Sequence, residues 1–143
     1  MKKILIMGLP KAGKTTFAEE LVKQLKKTNH VDWFNADKTR EFFNDWDFTV
    51  KGRIRQSYRM RDLARISTAD YVICDFIAPL AEMRDIFQAD YTVWIDTLDQ
   101  SMYEDTNKLF EKPMHYTIRV TEQDASKWVK IFLEEMRIDR KDV

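Results

Sequence analysis

Apolar residues fall in two rhythms along this chain, and the two alternate. Residues 3–7 (KILIM) are a solid apolar run ended by Gly8, which predicts a strand buried on both faces. From Lys14 to Lys27 the rhythm changes: Phe17, Leu21, Val22 and Leu25 share one helical stripe, with Lys26 and Lys27 at the negative end of the dipole. Val31–Asn35 reads as a second strand, Thr39–Asp45 as a short helix and Arg53–Thr68 as a longer one. Tyr71–Cys74 and Tyr91–Ile95 read as strands flanking a helix over Pro79–Gln88, with proline in its first turn. Residues 116–120 (YTIRV) make a fifth strand. The last helix is predicted to start at Thr121, with Asp124 completing a capping box and Ala125, Trp128, Val129, Phe132 and Met136 as its stripe. The polar tail 137–143 is expected to fray. Strand and helix in turn imply an α/β chain, a three-layer α/β/α sandwich on a five-stranded, mostly parallel sheet. Ligands of such sheets sit at the carboxyl ends of the strands.

Length and composition narrow this picture. At 143 residues the chain is expected to be one domain over 1–143. Apolar residues at 44% and charged residues at 34% supply a core and a solvated surface, which excludes a disordered chain. The 24 basic and 24 acidic residues cancel, so no general nucleic-acid or membrane-surface binder is expected. Cys74 is the one cysteine; no internal disulfide can form, and within YVIC it reads as a buried, inert thiol. No Cys/His cluster has zinc spacing. The run ILIMGL is too short for a membrane span or a typical signal peptide, so the cytoplasm is the expected compartment. Self-association into a homodimer is left open.

Chemistry concentrates first at residues 8–15, GLPKAGKT, which fit G-x-x-x-x-G-K-[ST]. An apolar strand precedes the match, an amphipathic helix follows it, and two of the chain's three glycines fill the demanded positions Gly8 and Gly13. Gly8, Leu9, Pro10, Lys11, Ala12, Gly13, Lys14, Thr15 and Thr16 are thus the predicted nucleotide-binding loop. Successive amides and the helix's positive end grip the phosphates. Lys14 bridges β- and γ-phosphate oxygens, and the Thr15 hydroxyl ligates Mg²⁺. ATP and Mg²⁺ are the expected cofactors. The architecture is then that of a P-loop NTPase of the mononucleotide-kinase type.

The chain lacks a guanine-reading N-K-x-D, since TNKLF at 106–110 carries no carboxylate there, and it lacks a D-x-x-G switch. A small-molecule kinase fits the length. Its acceptor needs a carboxylate by the hydroxyl and cations on the anion. Asp37, just past the second strand, is the candidate catalytic carboxylate; a helix N-cap is its alternative role. Arg40 lies one turn later. The inward stripe Met60, Leu63, Ala64 and Ser67 extends back to Gln56 and Arg53, a cation and an amide where the core should open into a cleft; Arg55, Arg59, Arg61 and Arg65 point elsewhere. Asp75 either supports Mg²⁺ or caps a turn, and Asp96 fixes the loop after its strand. Phe48 and Phe76 either sandwich an aromatic substrate or belong to the core.

These residues resemble the adenylylsulfate kinase family over roughly residues 1–112. Besides GLPKAGKTT, NADKTR at 35–40 looks like D-G-D-N-V-R, and Phe48–Ala64 is similar to G-F-S…R-x-x-N-I-R-R-…-A. DFIAP at 75–79 looks like S-F-I-S-P, IDT at 95–97 like V-D-T, and DTNKLFEK at 105–112 like the lid motif D-P-K-G-L-Y-x-K. The resemblance implies an ATP-dependent kinase acting on the 3′-hydroxyl of adenosine 5′-phosphosulfate. It places Asp37 on the hydroxyl, Arg40, Arg53 and Gln56 on the phosphosulfate, and the adenine against Phe48, with Phe76 and Ile77 also on the substrate side. Lys108 and Lys112 would belong to a lid over ATP. The chain departs from the pattern at Asn35, Gln56, Ala78 and Glu104, and it lacks the K-G-F-T-G-I-D stretch after the lid. Two other readings keep the same loop: a kinase for another small-molecule or nucleotide hydroxyl, and a nucleotide-binding regulatory module with little turnover.

Overall fold

Among the described residues five parallel strands carry the molecule, lying side by side in the order Val31–Asn35, Tyr71–Asp75, Lys2–Gly8, Tyr91–Ile95 and Ile118–Val120. A computed structural model of the chain describes residues 1–141. Along the chain the elements are β1 (Lys2–Gly8), α1 (Lys14–Leu25), β2 (Val31–Asn35), α2 (Ala36–Phe43), α3 (Val50–Ile66) and β3 (Tyr71–Asp75). They continue with α4 (Ala81–Phe87), β4 (Tyr91–Ile95), α5 (Glu104–Leu109), β5 (Ile118–Val120) and α6 (Ala125–Lys141).

The strands sort their side chains by the two-residue period of the pleat. Ile4 and Ile6 of β1, Ile73 of β3 and Val93 of β4 face α1 and α6, where they meet Phe17, Leu21, Val129 and Phe132. Leu5 and Met7, Val72 and Cys74, and Trp94 face the opposite way, against Met60 and Ala64 of α3 and Phe87 of α4. Helices therefore cover both faces, and β1 at the centre is buried on each, as its unbroken apolar run requires. Phe132 holds this packing together from α6, edge-on to Phe17 at 6.3 Å and to Tyr91 at 6.1 Å. Cys74 is buried, and that burial pushes its thiol well above the ordinary range, so it is an inert core residue. No described helix is long and apolar enough to cross a membrane.

Several boundaries move relative to the sequence reading, each for a local reason. α2 begins at Ala36 because Asn35, not Asp37, is its cap: the Asn35 side chain accepts from the Lys38 amide at 3.1 Å. α3 begins at Val50, capped by the Thr49 hydroxyl on the Gly52 amide. On its stripe Met60 and Ala64 are buried, whereas Leu63 and Ser67 are only half-buried. α4 starts after Pro79, because Ala78 adopts a left-handed φ of 45° and turns the chain there. α6 starts at Ala125 with Asp124 as its cap, the Asp124 carboxylate accepting from the Lys127 amide at 3.2 Å, so the Thr121 capping box is not formed. Of the polar tail, the helix reaches Lys141, and residues 142 and 143 lie outside the described residues. α5 has no counterpart in the sequence reading.

Candidate active site

The turn from β1 into α1 is shaped by three left-handed residues, Gly8 (φ 152°), Lys11 (φ 63°) and Gly13 (φ 113°). A β-carbon on Gly8 would lie 2.4 Å from the Ile95 carbonyl oxygen, so only glycine lets β1 pass β4 here. Gly13 precedes α1 without offering a side-chain cap, so the amides opening that helix are left for an anion. Lys14 reaches back over the turn, its Nζ donating to the carbonyls of Leu9 at 2.8 Å and Gly8 at 3.0 Å. Burial pushes this ammonium down to about 8, against the pull of the Asp75 and Asp37 charges. The loop is braced from behind: the Ala12 carbonyl accepts from the Thr97 hydroxyl at 2.6 Å and from Gln123 Nε2 at 3.4 Å.

A cavity of about 620 Å³ opens in front of this loop, within the range of small-ligand sites. Pro10, Lys11, Gly13, Lys14, Thr15 and Thr16 line it on the side of the loop. Gly8, Leu9 and Ala12 do not; Leu9 and Ala12 are buried beneath the loop, and with Gly8 they shape it rather than face the cavity.

At the floor, Asp75 ends β3 and is buried. Its carboxylate accepts from Trp33 Nε1 at 2.7 Å, Asn35 Nδ2 at 2.9 Å and the Thr15 hydroxyl at 3.3 Å. Burial pushes the Asp75 carboxyl up to about 6, while those donors and the Lys14 charge pull the other way. Asp75 is therefore no turn cap but an under-compensated carboxylate beside the Thr15 hydroxyl. Asp37 sits in the first turn of α2, exposed and on the cavity wall, with its N-cap alternative taken by Asn35.

Arg40, Phe48, Arg53 and Gln56 converge on the wall of the same cavity, together with Phe76 and Ile77. Both arginines are buried, at 4% and 5% exposure, which is rare for this residue and fixes both forks. Arg40 Nη1 donates to the carbonyls of Asp45 at 3.0 Å and Asp47 at 3.2 Å. Arg53 Nε donates to the Phe48 carbonyl at 2.8 Å and its Nη2 to the Thr106 hydroxyl at 2.8 Å. The two guanidiniums lie 4.3 and 5.4 Å from the centre of the same Phe48 ring. Burial lowers both arginines from their ordinary range, and for Arg40 the neighbouring Arg53 charge adds to the effect. Gln56 donates to the Ala36 carbonyl at 3.4 Å and accepts from Arg59 at 2.8 Å. Phe76 lines the cavity and also belongs to the core, edge-on to Phe87.

The loop carrying Phe48 is held by two of the arginines read as pointing away from the cleft. Arg55 and Arg59 both turn onto the Asp45 carboxylate, at 2.8 and 3.0 Å, which keeps its carboxyl well below the usual range. Asp96 pairs with Arg119 of β5 at 2.7 Å, so its carboxylate ties the end of β4 to the neighbouring strand rather than to the loop that follows it.

The segment read as a lid forms α5, and it leans on the cavity wall beside Arg53. Tyr103, Asp105 and Thr106 line the cavity. Lys108 and Lys112 do not: both are exposed, and Lys108 pairs with Glu104 at 3.6 Å along the helix. The segment after α5 is stapled down by Arg84, which donates to the carbonyls of Ala78, Pro79 and Glu111. Sequence reasoning passed over Thr106, Ser57, Tyr103 and Gln123. Ser57 had a signal, since it follows Gln56 on the stripe of Arg53 and Met60; a threonine within a polar hexapeptide had none.

Comparison with known proteins places the chain in a family. The sequence model of the adenylylsulphate kinase family matches residues 2–127. The "Probable adenylyl-sulfate kinase" of Aeropyrum pernix is 31% identical over 87 residues, which are 58% of this chain and 48% of that protein, so the match spans about half its length. The APS kinase CysC of Mycobacterium tuberculosis, solved with AMPPNP and APS, superposes with a TM-score of 0.79 over 95% of this chain and 97% of that one, at 18% identity. A gluconokinase from Sinorhizobium meliloti 1021 superposes with a TM-score of 0.70 over 99% and 94% of the two chains, at 13% identity. The fold is thus shared by kinases of different acceptors, and the family assignment rests on the sequence match across most of the chain. With its glycine-shaped phosphate loop, parallel sheet and matched residues 2–127, the chain belongs to the adenylylsulphate kinase family of P-loop proteins.

Proposed function

We propose that the chain transfers the γ-phosphoryl group of ATP to the 3′-hydroxyl of adenosine 5′-phosphosulfate. The observation that carries the acceptor is the pair of buried guanidiniums beside the same Phe48 ring, on the wall of a cavity. Two cations held this close in a desolvated site are costly alone and are offset by an anion between or before them. Arg40 retains Nε and Nη2, and Arg53 retains Nη1, without a hydrogen bond among the described residues, so both have donors to spare. The Phe48 ring, 43% exposed, offers a face to a base. The family match supports the phosphosulfate nucleotide among the anions that would fit.

At the donor end the uncapped amides of α1 take the phosphates, and Lys14 exchanges the Gly8 and Leu9 carbonyls for phosphate oxygens. The oxygens of Thr15 and Asp75 suit Mg²⁺, since a dication supplies the compensation that the buried Asp75 carboxylate lacks. Thr15 and Asp75 would hold the ion, and its contribution is to neutralise charge on the phosphates. Asp37 takes the proton of the acceptor hydroxyl as the new bond from the 3′-oxygen to the γ-phosphorus forms. The bond from that phosphorus to the bridging oxygen breaks, and ADP leaves. Arg40 and Arg53 orient the acceptor and bear its negative charge.

The test is ADP release by the purified protein with ATP–Mg²⁺ and a panel of acceptors: adenosine 5′-phosphosulfate, AMP, gluconate and shikimate. Release that depends on adenosine 5′-phosphosulfate is expected. Faster release with an uncharged or monocarboxylate acceptor would overturn this assignment. ATP binding without release in any mixture would point to a regulatory nucleotide-binding module.

A further inference from the structure

Arg53 is the longer-range partner in the acceptor pair, because its fork is set by two separate parts of the chain. Nε is fixed locally by the Phe48 carbonyl, five residues back. Nη2 is fixed by the Thr106 hydroxyl of α5, 53 residues on, in a buried hydrogen bond of 2.8 Å. Thr106 itself is 2% exposed and is the one buried residue of α5. With Nε and Nη2 both committed, the plane of the guanidinium is determined, and Nη1 is the nitrogen left for the cavity. The carboxylate of Asp105, next in sequence, stands 3.9 Å from Nη2 yet is 74% exposed, so it does not hold the fork in place of Thr106. The far end of this segment is anchored independently, by the Glu111 amide on the Pro79 carbonyl at 2.7 Å and by Arg84. α5 is thus held against the acceptor wall beyond its C-terminal end, while Thr106 presents the hydroxyl.

We infer that Thr106 is a positioning residue that sets acceptor affinity and selectivity: its hydroxyl holds Arg53 Nη2 so that Nη1 meets the anionic group of the acceptor. The inference rests on the proposed phosphosulfate reading for the ligand, but not for the geometry. It assigns to α5 a task at the acceptor end, distinct from cover over ATP.

The variants are Thr106→Val, which keeps shape and loses the hydroxyl, and Thr106→Ser, which keeps the hydroxyl. With the donor site filled by a non-hydrolysable ATP analogue and Mg²⁺, adenosine 5′-phosphosulfate is titrated into each protein by calorimetry, and steady-state KM values for acceptor and ATP are measured alongside. Thr106→Val is expected to weaken acceptor binding and raise its KM by about tenfold or more, the scale of a hydrogen bond to a charged group, with ATP KM unchanged. Thr106→Ser is expected to restore both. Equal acceptor affinity in wild type and Thr106→Val overturns the inference, as does a valine effect shared equally by ATP or left unrescued by serine. Acceptor binding without turnover in the wild type would sink the proposed reaction while leaving Thr106 testable by the titrations. No acceptor binding by the wild type would overturn both.

Discussion

Asp75→Asn separates what this site does for function from what it costs the fold. Burial raises the folded-state carboxyl to about 6 from an ordinary value near 3.8. The folded chain therefore holds more protons than the unfolded chain between those two values, and this group's contribution to stability falls as pH rises from about 4 to about 6. Above about 6 the folded protein carries the full cost of a buried, ionised carboxylate, on the order of 3 kcal/mol. Asparagine removes the charge and, through Oδ1, keeps the bond from Trp33. It turns its amide towards Asn35 Nδ2, which is left with only the longer bond to the Thr15 hydroxyl at 3.4 Å, at a cost of about 1–2 kcal/mol. The balance is a variant about 1–2 kcal/mol more stable than wild type near pH 7, with no gain near pH 4, where the wild-type carboxyl is already protonated. Urea unfolding followed by circular dichroism at both pH values measures this, without nucleotide or Mg²⁺. The same variant should lose Mg²⁺-dependent ATP binding and turnover, since the amide cannot balance a dication. A variant less stable than wild type at neutral pH, or a gain that persists in acid, would refute the reasoning that the Asp75 charge is under-compensated.

Three further substitutions probe the rest of the site. Asp37→Asn should reduce kcat by roughly a hundredfold or more while ATP affinity, measured by titration, stays put; unchanged turnover would remove Asp37 from its assigned step. Arg40→Lys replaces a fork pinned to two carbonyls by a point charge, and should raise acceptor KM about tenfold in steady-state assays with little change in ATP KM. Gly8→Ala forces a β-carbon to 2.4 Å from the Ile95 carbonyl at a φ of 152°, and should cost about 3 kcal/mol, read as a Tm lower by about 10 °C.

The central strands β1 and β3 were legible because burial on both faces writes an unbroken apolar run. β2 and β4 begin and end at the residues the pattern assigns, Val31–Asn35 and Tyr91–Ile95. Helix starts were harder, because several polar residues near each start can cap. Asn35 took the capping role that was the alternative for Asp37, Asp124 took the one read for Thr121, and only tertiary placement decides between such candidates. The phosphate loop was legible because its glycines are dictated by backbone angles. Arg53 and Gln56 were legible because the buried stripe of α3 continues through them. α5 was not: its residues, EDTNKL, have no apolar stripe, and its one buried side chain is a threonine held by a distant arginine. The turn of Arg55 and Arg59 onto Asp45 escaped for the same reason, since charge pairing across a loop leaves no period in the sequence.

The reach of Lys14 into its own loop also bears on the heat of ligand binding. Within the loop burial holds this amine at about 8, where it donates to the carbonyls of Gly8 and Leu9. A triphosphate would restore its full positive charge, so near that pH the encounter draws a hydrogen ion from the buffer. The apparent enthalpy of nucleotide binding then depends on which buffer surrenders it, and acid–base exchange with the medium becomes a built-in accompaniment of filling the loop.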